Sequence, residues 1–137
     1  MVCSGVLCHI NWLSVVVATL AIFIAGSLWY SPVLFSKTWL IELKVEKKEI
    51  NKNAMLRIFI LAFVLEFIAV IGLAVLIGKN STVLHGLITG LFVAIVWSAT
   101  SLGIIYLFSQ RSLKLFLIDA GYYLVAFAIA GAILGAW

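Results

Sequence analysis

Two carboxylates, Glu66 and Asp119, lie within long apolar runs and are the residues best suited to chemistry. A charged carboxylate at the centre of a membrane costs at least about 2.5 kcal/mol, so each must be protonated, paired or directed into a polar cavity. Such a group is a natural carrier of a proton or a cation. We therefore expect Glu66 to be the coupling group of any transport activity, with Asp119 as a second station nearer one surface.

A packing role is the alternative that the residues leave open. Glu66 can stay protonated and bond to Ser98 or to a backbone carbonyl, which would hold helices together without any exchange. Asp119 can cap its helix or pair with a neighbouring arginine. The sequence alone does not decide between packing and transport.

No enzyme motif is found in the sequence. It has no His-Glu-x-x-His, no Gly-x-Ser-x-Gly and no phosphate-binding glycine-rich loop, so we predict neither catalysis nor a cofactor. The two histidines, His9 and His85, match no metal motif, and no metal site is predicted. Cys3 and Cys8 are either incidental thiols of the N-terminal tail or partners in a disulfide.

The composition is that of an integral membrane protein. Of the 137 residues 66% are hydrophobic and only 10% are charged, which is too apolar for a soluble domain. A helix needs roughly 20 apolar residues to span the hydrocarbon core. Four such runs occur, at residues 11–30, 57–78, 83–108 and 115–136. The sequence predicts an all-α bundle of four transmembrane helices in a single domain, 1–137.

Aromatic residues mark the ends of the predicted spans. Tryptophan and tyrosine favour the headgroup level, and five such residues are predicted to be interfacial anchors: Trp12, Trp29, Tyr30, Trp39 and Trp137. Residues 32–53 form the long connection between the first two spans. Its first half mixes apolar and charged residues, which predicts a short helix lying in the interface.

The basic residues are concentrated on one side of the predicted bundle. Eight of the nine lie in or beside the loops 31–56 and 109–114, and only Lys79 lies on the other side. Lysine and arginine accumulate on the cytoplasmic side of membrane proteins. We expect both loops to be cytoplasmic and both termini to be outside. The net charge of +4 then reflects orientation, and nucleic acid is not an expected partner.

Counting along each helix gives the depth of the two carboxylates. At about 1.5 Å per residue, Glu66 lies about 13 Å beyond Arg57 and Asp119 about 7 Å beyond Lys114. Glu66 is thus near the midplane. The antiparallel register places Ala21, Trp97, Ser98 and Tyr123 at the level of Glu66, and Gly26, Ser27, Tyr30, Gly103 and Tyr106 at the level of Asp119.

Small residues recur at four-residue intervals in the third and fourth runs. Gly86, Gly90 and Ala94 form one stripe, and Gly131 and Gly135 belong to the other. Such stripes allow helices to approach closely in lipid. Because four helices enclose little interior by themselves, we expect these surfaces to receive further helices in a homo-oligomer.

Both ends of the chain resemble one known family. The N-terminal stretch is Asn11–Leu13 with Gly26–Pro32, and the C-terminal stretch runs from Arg111–Leu115 through Asp119–Tyr123 to Gly131–Trp137. These resemble the bacterial "domain of unknown function 1761" membrane proteins. The resemblance implies a four-helix bacterial membrane protein of about this length, without an assigned activity. We expect the membrane to be the bacterial inner membrane.

The family pattern also bears on the candidate site. Its members often carry asparagine where this chain has Asp119 and proline where it has Ser112. The resemblance therefore implies that a carboxylate is not obligatory at Asp119, and that Tyr122 with Gly121 is the better candidate for a shared role.

The function that we expect from the sequence is a homo-oligomeric transporter or channel-like protein for a small solute, a proton or another cation. Its predicted polar site comprises Glu66, Trp97, Ser98, Asp119, Tyr122 and Tyr123. The alternative is a non-catalytic scaffold or accessory protein of the bilayer that binds a partner helix or a lipid.

Overall fold

Five α-helices make up the part of the chain that this computed structural model describes, residues 5–44 and 51–137. They are α1 (Trp12–Trp29), α2 (Ser36–Leu43), α3 (Lys52–Ile77), α4 (Val83–Phe108) and α5 (Leu113–Ala136), and a 3₁₀ turn at Val6–His9 precedes them. All but α2 are long and apolar enough to cross a membrane. The predicted all-α fold with four spans and a short helix after the first is confirmed.

Polar side chains fix where the spans begin. Asn11 accepts hydrogen bonds from the backbone of α1, and Asn51, Thr82 and Ser112 do the same for α3, α4 and α5. Each satisfies backbone N–H groups that have no partner within the helix. Gly78 ends α3 with a φ of 72°, which lets the chain turn sharply into α4.

Helix α5 is central and packs most extensively on α4 and then on α1. Its contact with α4 is made by backbone. A Cβ on Gly86 would lie 2.0 Å from the carbonyl oxygen of Gly131, and one on Gly90 would lie 2.0 Å from that of Phe127. Ala94 is fully buried on the same face. The small-residue stripes of α4 and α5 therefore face each other within one chain.

An apolar core fills the half of the bundle near the two termini. Val15 and Ala18 of α1, Val70 and Leu73 of α3, and Ala130 of α5 are each at most 2% exposed. These side chains lie between Glu66 and the end of the bundle where α1 begins. This buried layer separates Glu66 from two further cavities, of about 510 and 340 Å³, at the end of the bundle where α1 begins.

A π-helical segment, Ala94–Ala99, interrupts α4. In an unbroken α-helix, Tyr106 would lie about 120° around the axis from Ala94, which is buried against α5. A π turn accommodates one extra residue and reduces this offset to about 20°. The segment therefore lets the two halves of α4 present both Ala94 and Tyr106 to α5.

Candidate functional site

Asp119 lies on α5, only 8% exposed, and joins four parts of the chain. Its Oδ1 accepts a hydrogen bond from the Tyr30 hydroxyl at 2.6 Å and one from Trp39 Nε1 at 3.1 Å. Its Oδ2 accepts from the Tyr106 hydroxyl. The three donors come from the end of α1, from α2 and from α4. Both oxygens of this carboxylate are thus satisfied, and Asp119 holds these elements together.

The aromatic residues at the end of α1 also bind protein groups. Trp29 donates from Nε1 to the carbonyl oxygen of Ile118 at 3.0 Å. Tyr30 lies just after the span, and burial, with the hydrogen bond to Asp119, raises its pKa, so its hydroxyl keeps the proton that it donates. Of the five predicted anchors, only Trp12 and Trp137 are about half exposed. The other three, Trp29, Tyr30 and Trp39, fix the structure around Asp119.

Glu66 lies on α3, and its two carboxyl oxygens differ in their hydrogen bonding within the described residues. Its Oε1 lies 2.5 Å from the hydroxyl of Tyr122. Its Oε2 is buried and has no hydrogen-bond partner among residues 5–44 and 51–137. Gly26 of α1 makes room for the Tyr122 ring, since a Cβ there would lie 3.0 Å from the Tyr122 hydroxyl. A larger residue at Gly26 would press on this carboxyl–phenol pair.

A cavity of about 360 Å³ lies beside Glu66, between α1, α3 and α5. It extends along α3 from Glu66 to Ile58, which is about 12 Å at the rise of an α-helix. Ile58 is near the end of the bundle that carries most of the basic residues, and the closed apolar core lies on the other side of Glu66. The residues that line the cavity are Phe23, Gly26, Ser27, Tyr30, Ile58, Phe59, Ala62, Glu66 and Tyr122.

The two carboxylates are linked through two tyrosines. The Tyr122 ring contacts the Tyr30 ring, with centroids 5.5 Å apart. Each hydroxyl is bonded to its own carboxylate, Tyr122 to Glu66 and Tyr30 to Asp119. Asp119 therefore fixes Tyr30, which in turn supports the Tyr122 side of the cavity.

The structure separates the residues of the predicted polar site. Trp97 is 54% exposed and packs edge-on against Phe92 on the outside of the bundle. Ser98 is half-buried and is not among the residues that line the cavity. Tyr123 is 37% exposed and contacts the rings of Tyr122 and Phe127. Tyr122, one residue earlier and about 100° around the helix, contacts Glu66 instead.

The depths counted along the helices agree better with the contacts around Asp119. It predicted Tyr30 and Tyr106 at the level of Asp119, and both donate to that side chain. Trp39 was predicted only as an anchor. Trp39 follows the end of the first span within an amphipathic segment. This position was the one sequence feature that could have indicated its contact with Asp119. Phe23 and Phe59 carried no signal, since they are ordinary apolar residues of their spans.

Metal ligands do not gather in the described part of the chain, where no group of three His, Cys, Asp or Glu side chains is placed to hold an ion. Cys8 is disulfide-bonded, and Cys3 lies outside the described residues. The described lining of the cavity offers one carboxyl group, the hydroxyls of Ser27, Tyr30 and Tyr122, and aromatic rings.

The chain belongs to the family described as "Protein of unknown function (DUF1761)", whose pattern matches residues 13–135. The resemblance seen at the two ends of the sequence is thus confirmed. No curated protein and no solved structure matches the chain.

Proposed function

We propose that this family member is a transporter or channel-like protein for a small solute or ion, in which Glu66 exchanges a proton or a cation. The supporting observation is its carboxyl group, with Oε1 bonded to Tyr122 and Oε2 buried without a partner in the described residues. An unpaired buried oxygen is costly, and a charged one more so, unless a proton or a cation occupies it. The cavity gives such a species a place to bind.

One-sided access supports the same proposal. The cavity leads from Glu66 toward the basic end of the bundle, while a buried layer that includes Val15, Val70 and Leu73 separates Glu66 from the opposite end. We infer a state that is open to one side only. A transport cycle also requires a second state in which the packed half opens and the cavity closes.

Asp119 has a different role in this proposal. Its two oxygens accept three hydrogen bonds, so it has no free acceptor that calls for a cation. We assign it as a positioning residue that fixes Tyr30 beside the cavity. This replaces the second proton station considered from the sequence.

We propose that the basic loops face the cytoplasm and that the membrane is a bacterial inner membrane. The distribution of lysine and arginine supports this orientation. Ser81→Cys and Ser109→Cys, at opposite ends of α4, should differ in labelling by a membrane-impermeant maleimide added to intact cells. Labelling of Ser81→Cys alone is expected. Labelling of Ser109→Cys alone would show that the orientation is the opposite of the one proposed.

A homo-oligomer stays a prediction of the sequence. The small-residue stripes do not support it, because Gly86 and Gly90 lie against α5 of the same chain. Crosslinking in native membranes would measure the state directly.

Flux into proteoliposomes tests the proposed function. Purified full-length chain is reconstituted with an internal pH dye, and proton movement is followed under an imposed pH or cation gradient. Glu66→Gln keeps the size of the side chain and an acceptor oxygen for Tyr122 but cannot exchange a proton. Glu42→Gln is the matched control, because Glu42 lies on α2 and accepts a bond from Ser112, away from the cavity.

Gradient-driven flux in wild type and Glu42→Gln, with loss in Glu66→Gln, is the expected result. Absence of flux under every gradient, with the wild type and both variants folded, would refute transport and favour the scaffold alternative. Equal flux in all three would mean that Glu66 is a packing residue.

A further inference from the structure

The Glu66 cavity also indicates the chemistry of its ligand. We propose that it binds an amphiphilic organic cation, an ammonium group on an apolar body. This deepens the proposed function, on which it rests for the role of Glu66 as the exchanging group. Binding and flux are separate measurements, so each can fail alone.

The charge of the lining favours a cation. Glu66 is its one ionisable carboxyl group, and no lysine, arginine or histidine belongs to the part of the lining that the structure describes. An anion would have to lie beside a carboxyl group in a low-dielectric site without a compensating positive charge. A cation can replace the proton of Glu66 and remove the cost of its unpaired oxygen.

The side-chain oxygens are too few to hold a divalent inorganic cation. Ca²⁺ takes six to eight oxygen ligands and Mg²⁺ takes six. Besides the two oxygens of Glu66, the side chains that line the cavity offer only the hydroxyl oxygens of Ser27, Tyr30 and Tyr122, which is fewer oxygens than either ion takes. An organic ammonium group does not require such a shell of oxygens.

Aromatic rings supply what an organic cation requires. Phe23 and Phe59 form one pair, with centroids 6.0 Å apart and ring planes at 73°. Tyr30 and Tyr122 form the other, with centroids 5.5 Å apart. All four rings line the cavity that also contains Glu66. Ring faces attract ammonium groups, and several rings around one carboxylate are a known solution for quaternary ammonium ligands.

Access and size fit an amphiphile. Ile58 and Phe59 line the cavity and are about half exposed on the outer surface of α3, so the cavity borders the bilayer. A ligand with an apolar body would reach this level of the membrane by partitioning into it. At about 360 Å³ the cavity is at the small end of the range for small-molecule sites, about 300–1,000 Å³.

Binding must balance protons as well as charge. A protonated Glu66 that receives a quaternary ammonium ion loses its proton to water and becomes the paired carboxylate. The only bond broken is the O–H bond of the carboxyl group. A quaternary ammonium ion carries no titratable proton, so any proton released on binding comes from the protein.

Calorimetry on the full chain in detergent micelles tests this inference with a matched pair of probes. Benzyltrimethylammonium is the cation, and neopentylbenzene is its neutral isostere. The proteins are wild type, Glu66→Gln, Phe59→Leu and the control Phe63→Leu. Phe63 contacts Phe23 but is not among the lining residues, so its replacement removes a ring from outside the cavity. Proton release is obtained by repeating the titration in buffers of different ionisation enthalpy.

The cation should bind wild type at least about tenfold more tightly than the isostere and release close to one proton. Glu66→Gln should abolish the release and weaken binding by about tenfold or more, and Phe59→Leu should weaken it severalfold, as expected for a lost cation–π contact. Phe63→Leu should bind as wild type does.

Equal affinity for the cation and the isostere, or cation binding that Glu66→Gln leaves unchanged, would overturn the inference. Proton flux without cation binding would leave the proposed function standing and refute this ligand class. Cation binding without flux would refute the proposed function and leave this ligand class standing.

Discussion

The backbone contact between α4 and α5 makes Gly86→Ala a demanding test of the fold. The new Cβ would lie 2.0 Å from the carbonyl oxygen of Gly131 and 3.0 Å from the Cα of Gly135. Both are backbone atoms, so no side-chain rotation relieves the clash. Restoring an ordinary contact of 3.4 Å requires the helices to separate by about 1.4 Å at this point.

The change in the free energy of unfolding is the sum of two destabilising contributions and one stabilising contribution. Overpacking of this kind costs about 1–3 kcal/mol. The Gly86 hydrogen that the methyl group replaces points at the Gly131 carbonyl, and such a Cα–H···O contact contributes about 0.5–1 kcal/mol. Alanine regains up to about 1 kcal/mol of helix propensity. We expect a net loss of about 1–3 kcal/mol in the free energy of unfolding.

Reversible unfolding by SDS in mixed micelles, followed by helical circular dichroism, measures this loss. Gly72→Ala is the matched control, because Gly72 lies within α3 and a Cβ there meets nothing within 4 Å. That variant should be as stable as wild type or more so. Equal stability of Gly86→Ala and Gly72→Ala would refute the close packing of α4 on α5.

Three further predictions concern the Asp119 cluster. Asp119→Ala leaves three donors without their acceptor and should lower stability by about 2–4 kcal/mol, whereas Asp119→Asn keeps an oxygen for Tyr30 and Trp39 and should lose about half as much in the same SDS titration. Deletion of Val96 should remove the extra residue of the π turn and rotate Tyr106 by about 100°, away from Asp119. Tyr106→Phe should lower the free energy of unfolding by about 1–2 kcal/mol in the full chain. The same substitution should have no effect in the deletion variant, because the hydrogen bond is already lost there. Burial and the hydrogen bond to Asp119 raise the pKa of Tyr30 above its ordinary 10.0, so the folded form holds the hydroxyl proton more tightly than the unfolded form does. The stabilisation from this proton should be complete below about pH 10 and decline above it. Tyr30→Phe should therefore reduce the loss of unfolding free energy that wild type shows as the pH rises above about 10.

Local properties of the sequence were enough to establish the class and the spans. Hydropathy identifies a helix that can cross the bilayer because, in lipid, each span must satisfy its own backbone hydrogen bonds. Depth also follows from residue counting, which is why Tyr30 and Tyr106 were expected beside Asp119.

The direction in which each side chain points around its helix axis could not be derived from these local properties. These spans are apolar on all sides, so the pattern of hydropathy does not indicate which residues point inward. A difference of one position turns a side chain by about 100°, and this separates Tyr122, which contacts Glu66, from the half-exposed Tyr123. The same ambiguity placed Trp97 beside Glu66, whereas it lies on the outside.

The sequence by itself determined that the chain is a four-span bundle with a carboxylate near its midplane and small-residue stripes on two helices. Only the tertiary structure decided that these stripes meet within one chain and that a π turn brings Tyr106 to Asp119. It also decided that one oxygen of Glu66, beside a cavity, has no hydrogen-bond partner in the described part of the chain. The physical reason is that hydropathy and capping depend on single helices, whereas rotation and pairing depend on the contacts that all the helices make together.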